Sequence, residues 1–113
     1  MKKSQLYKGS LNTIILKLLS ENGKMYGYEI TKLVKVITAG EMNITEGALY
    51  PALHKLESEG VLSCEIVEVD SRQRKYYKLT DKGRLETKSK LAELSNFIQN
   101  MQNLVLPKLT LDL

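Results

Sequence analysis

One cysteine, Cys64, one histidine, His54, and no tryptophan stand in a chain of 113 residues. A single cysteine excludes an intrachain disulfide. One Cys and one His cannot furnish the three or four protein ligands of an ordinary zinc site, so no metal or cofactor is expected. No apolar run reaches the ~18 residues a transmembrane helix needs, and no membrane partner is expected. The amino-terminal MKKSQLYKGS lacks an apolar stretch leading to a small-residue cleavage site, which makes the cytoplasm the expected location. Nucleophile-elbow, P-loop and dinucleotide-glycine signatures are missing, as is metal-ligand spacing. His54 has no Ser or Cys beside it in a triad-like context, so no enzyme is expected.

What is present is charge sorted into blocks, within a length that fits one small domain. Residues 1–40 carry seven Lys against two Glu, and residues 41–70 carry one Lys against seven acids. Residues 71–90 carry eight Lys or Arg against two acids, and the whole chain nets +4. A basic balance of this kind permits nucleic-acid binding without establishing it.

Leu11, Ile14, Ile15, Leu18 and Leu19 share one helical face, and Asn22-Gly23 is a stop signal. A second helix carries Ile30, Leu33, Val34 and Ile37 as its apolar stripe, with Gly40 beyond it. Thr45 suits an N-cap for a third helix from Glu46 to Ser58, with Leu49, Leu53 and Leu56 buried and Gly60 past its end. Pro51 would press on the carbonyl of Gly47, which predicts a bend or a loosened first turn. Leu62, Cys64 and Ile66 alternate with Ser63, Glu65 and Val67, the period of a strand. Asp70-Ser71-Arg72-Gln73 reads as a hairpin tip, and Lys75, Tyr77 and Leu79 alternating with Arg74, Tyr76 and Lys78 as the returning strand, with Tyr77 and Leu79 towards the core and Tyr76 left open.

Thr80 and Asp81 then open a long last helix. Its Leu91, Leu94, Ile98, Met101 and Val105 form an a/d seam, and Phe97 and Leu104 add a second apolar row. Three short helices and a hairpin cannot cover that face, and a second copy of the chain is the simplest partner. Pro107 ends the helix, and Leu109, Leu111 and Leu113 fall in the tail. The order describes a mainly α chain with a small β-hairpin wing. It predicts a winged helix-turn-helix over 1–80, a C-terminal dimerisation helix over 81–106 and a tail over 107–113.

Three stretches resemble the PadR family of transcriptional regulators. They are Gly27-Tyr28-Glu29-Ile30, then Glu46-Gly47-Ala48-Leu49-Tyr50-Pro51-Ala52-Leu53 with Leu56-Glu57 and Glu59-Gly60, and finally Arg74-Lys75-Tyr76-Tyr77-Lys78-Leu79-Thr80 with Gly83. The likeness spans about residues 8–100, and the short members with a single C-terminal helix match it in length. It implies a homodimeric repressor whose third helix reads double-stranded DNA and whose last helix dimerises. In some short members planar aromatic effectors bind between the subunits. Members often carry a Trp in the first wing strand, and the ligand-binding short members can carry one on the last helix. Here neither is present, and Phe97 lies near the latter position.

A recognition helix lays its amino-terminal half against base edges in the major groove. Opposite its Leu stripe the third helix presents Gly47, Tyr50, Pro51, His54 and Ser58, with Lys55 at the flank. None of these is an Arg or Asn suited to bidentate base reading, so phosphate contacts and DNA shape are expected to carry more of the specificity. Arg72, Arg74 and Lys75 at the wing can enter the minor groove or clamp phosphates, and Lys17, Lys24 and Lys32 can reach flanking phosphates. Glu46, Glu57 and Glu59 would repel phosphate if they faced it. Glu46 is instead placed at the positive end of the helix dipole, and the other two in the last turn. Cys64, alternating with Leu62 and Ile66, reads as a small buried hydrophobe rather than a redox sensor. Two functions follow. One is a dimeric DNA-binding repressor on a near-palindromic operator. The other is a winged-helix module that binds protein instead of DNA, for which the acidic 41–70 block is the best support.

Overall fold

The computed structural model describes residues 7–106. A short 3-10 turn, Lys8–Ser10, leads into α1 (Leu11–Asn22), β1 (Lys24–Tyr26), α2 (Gly27–Ile37), α3 (Glu46–Ser58), β2 (Leu62–Val69), β3 (Arg72–Leu79) and α4 (Asp81–Val105). The three strands form one antiparallel sheet in the order β1-β3-β2. This is a winged-helix fold. Pro107 and the tail leucines lie outside the described residues.

α1 occupies the centre, against α4, α3 and the sheet. Of the expected stripe Leu11, Ile15, Leu18 and Leu19 are buried and Ile14 half-buried, and Leu16 and Thr13 are buried as well, because this helix is covered on more than one side. Leu49, Leu53 and Leu56 of α3 meet it from below with Ile30 and Val34 of α2, and Tyr77 and Leu79 close the core from the sheet. The α2 stripe is shorter than its periodicity predicts. Burial stops at Val34, and Ile37, in the last turn, is 64% exposed because the helix end runs past the core.

Both predicted N-caps form. The Thr45 hydroxyl accepts from Ala48 N–H at 3.2 Å, and that of Thr80 accepts from Gly83 N–H at 3.0 Å. α3 runs through Pro51 as one helix.

The sheet departs from expectation in two ways. β1 was not anticipated: it pairs Met25 with Tyr77 and Tyr26 with Tyr76. The hairpin tip is two residues, not four. Asp70 and Ser71 take positive φ values of 50° and 65°, the left-handed pair that a tight two-residue hairpin requires. Arg72 and Gln73 therefore belong to β3, opposite Val69 and Glu68. Burial fades along the wing: Leu62 is in the core, Cys64 at its rim and Ile66 exposed.

Candidate nucleic-acid interface

The Leu stripe pins one side of α3 to the core, and this leaves Gly47, Tyr50, Pro51, His54, Lys55 and Ser58 on its exposed surface. Two of these side chains are already committed in part. The Ser58 hydroxyl donates to Lys55 O at 2.7 Å, so only its acceptor lone pairs face outward. The Tyr50 ring packs on the start of α2. A Cβ built on Gly27 would lie 2.7 Å from the Tyr50 hydroxyl oxygen and 2.9 Å from the carbon bearing it. Gly27 is thus the seat that fixes where Tyr50 points. Glu46 stands in the first turn of α3, where the helix dipole favours it.

On the wing, Arg72 borders the turn, and Arg74 lies two residues along the same sheet face. Lys75 is not brought together with them. It pairs with Ile66 on the opposite face, the one that carries Tyr77 deeper in. Arg74 has its guanidinium carbon 4.5 Å from the Tyr26 ring centroid. The neighbouring Tyr76 hydroxyl pushes it above the usual guanidinium range, so it is always charged. Of the lysines proposed to flank DNA, Lys17 pairs with Glu21 at 3.9 Å and Lys24 with Glu65 at 3.3 Å. Tyr26 escaped the sequence reading because a three-residue strand between Gly23 and Gly27 is too short to show periodicity.

Cys64 sits at the rim of the core. Burial, then the nearby Glu57 carboxylate, push its thiol above the ordinary range, the reverse of what a reactive thiolate needs.

The exposed end of α3 is joined firmly to α4. Thr80 N–H donates to Val61 O at 3.1 Å, and the Thr80 hydroxyl to Gly60 O at 2.6 Å. The Lys82 ammonium reaches Glu59 O at 2.7 Å. From this joint α4 runs out with Leu91 and Leu94 half-buried, while Phe97, Ile98, Met101, Leu104 and Val105 are 41–77% exposed.

An exposed third helix, a wing with Arg beside its tip and a long last helix carrying an exposed apolar row define a winged-helix protein. Residues 15–89 match the Transcriptional regulator PadR-like family, and the chain belongs to that family, whose members are regulators and not enzymes. A transcriptional regulator from Clostridium thermocellum is similar over 90% of this chain and 99% of its own, at 33% identity and a TM-score of 0.82. Bacillus subtilis PadR, solved in complex with operator DNA, is 32% identical over 72% of this chain and 45% of its own, with a TM-score of 0.64. A transcriptional regulator of Mycobacterium tuberculosis is 38% identical over 63 residues, 53% of this chain and 59% of that one. Among the described residues no helix is long and apolar enough to cross a membrane.

Proposed function

We propose that this chain is a cytoplasmic homodimeric repressor that binds a near-palindromic operator in double-stranded DNA. The observation that carries it is the open polar surface of α3 lying on the same fold as a wing that presents Arg72 and Arg74 without a carboxylate partner among the described ion pairs. The operator complex of the Bacillus subtilis relative supports the same reading. The apolar face of α4 is the dimer contact, built from Leu91, Leu94, Phe97, Ile98, Met101, Leu104 and Val105.

A groove of about 480 Å³ runs between the start of α1 and α4, lined by Asn12, Thr13, Lys90, Glu93, Leu94 and Phe97. It opens beside the dimer face, where a planar aromatic effector would touch both subunits. Such an effector relieves repression by binding more tightly to a dimer whose recognition helices are wrongly spaced.

The test is selection of bound sequences from a random duplex pool at two salt concentrations. A near-palindrome should be enriched, and its affinity should fall steeply with salt, by roughly 0.9 in log–log slope for each phosphate neutralised. Arg72→Ala with Arg74→Ala should abolish that binding. Failure to enrich any sequence would favour the protein-binding module instead.

A further inference from the structure

The sheet face turned away from the core gathers side chains that lie far apart in sequence. The register places Tyr26, Tyr76 and Glu65 side by side on β1, β3 and β2. Tyr26 and Tyr76 meet edge to face, with centroids 5.3 Å apart and planes at 70°. Tyr28, exposed at the start of α2, lies against Tyr26 at 6.3 Å and 26°. The Lys24 ammonium is 5.6 Å from the Tyr76 ring but is also ion-paired to Glu65. Arg74 alone crowns this shelf of rings with its charge uncompensated: no carboxylate is within ion-pair distance of it among the described residues.

The Arg74 guanidinium carbon stands 4.5 Å from the Tyr26 ring centroid beside the Tyr76 hydroxyl, and the N–H donors that the hydroxyl does not engage remain for phosphate oxygens. Stacking also removes side-chain freedom that a lone surface Arg would have to lose on binding. The shelf adjoins the α3 surface as well, since Tyr26 precedes Gly27, the seat of Tyr50. A phosphate-bearing strand lying along α3 and the wing would cross it.

We propose that the Tyr26–Tyr76 shelf presents Arg74, preorganised, to a single phosphodiester of the bound duplex, which makes Tyr26 a positioning residue for DNA binding. This rests on the DNA-binding reading and adds to it the role of Tyr26 and Tyr76, which belong neither to the recognition helix nor to the wing tip.

The test measures affinity against salt for a duplex enriched by the unaltered chain, with thermal melting as a check on folding. Tyr26→Phe keeps the ring and should bind as the unaltered chain does. Tyr26→Leu should bind about two- to fivefold more weakly, the range of an exposed cation–π contact. Arg74→Ala should make the log–log salt slope shallower by about 0.9, and adding Tyr26→Leu to it should cost nothing more. Arg74→Lys keeps the charge but not the planar fork. It should lose a similar factor with the slope retained, and it carries the test if Tyr26→Leu does not fold. Tyr26→Leu that binds normally, or that weakens binding equally in the Arg74→Ala background, would overturn the proposal. So would Arg74→Lys binding as tightly as the unaltered chain. If the unaltered chain enriches no duplex, the DNA-binding reading falls first and the shelf with it.

Discussion

Tyr77 takes a hydroxyl into the core, where among the described residues it meets no hydrogen-bond partner better than the weak Cys64 thiol facing it across the strands. A buried hydroxyl left unmet costs about 1–3 kcal/mol. Tyr77→Phe keeps the ring and should hold or raise the melting temperature, and a fall of several degrees would contradict the assignment. Burial first, then Cys64, push the phenol up to about 12, against about 10 in an unfolded chain. Between those values the unfolded state gives up a proton that the folded state keeps, so stability falls as pH rises through that window. Urea midpoints measured below and above pH 10 should show the decline, and Tyr77→Phe should show less of it. Strict alternation made Tyr77 legible as a core residue. The missing partner for its hydroxyl was not legible, because it depends on what three other elements bring to that spot.

At the scale of elements, the joint between α3 and α4 turns on Gly83. A Cβ there would lie 2.1 Å from Val61 O, a backbone atom that cannot swing away. Gly83→Ala should cost roughly 1–3 kcal/mol, as overpacking does, read from chemical denaturation; unchanged stability would show that the joint yields. The helices were legible because their stripes are long and their caps, Thr45 and Thr80, are local chemistry. β1 was not, since Lys24-Met25-Tyr26 becomes a strand only when β3 arrives to pair with it. The hairpin tip was overestimated because Asp70-Ser71 lacks the glycine that usually marks a two-residue turn. Alternation along β3 sends Lys75 to the face opposite Arg72 and Arg74.

The described residues measure 60 × 29 × 21 Å, and their length comes from a 25-residue α4, roughly 37 Å of helix. The exposed face of α3 was legible as the complement of a Leu stripe. The aromatic seat beneath Arg74 was not, because it is assembled from β1 and β3. Ile98 is half-exposed in the single chain, so Ile98→Asp should leave the fold intact and convert dimer to monomer in sedimentation velocity. A stable dimer in that variant would mean the seam is misassigned.

The central claim is that two α3 helices, fixed through α4 to one dimer contact, read two half-sites at once. Its most direct test lengthens the enriched operator between its half-sites. Half-sites of such dimers lie about one helical turn apart, roughly 10 base pairs. Inserting about half a turn should rotate one half-site out of reach and abolish tight binding, while inserting a full turn should restore part of it or none. Undiminished affinity after the half-turn insertion would contradict the account, because it would mean that each chain binds DNA alone.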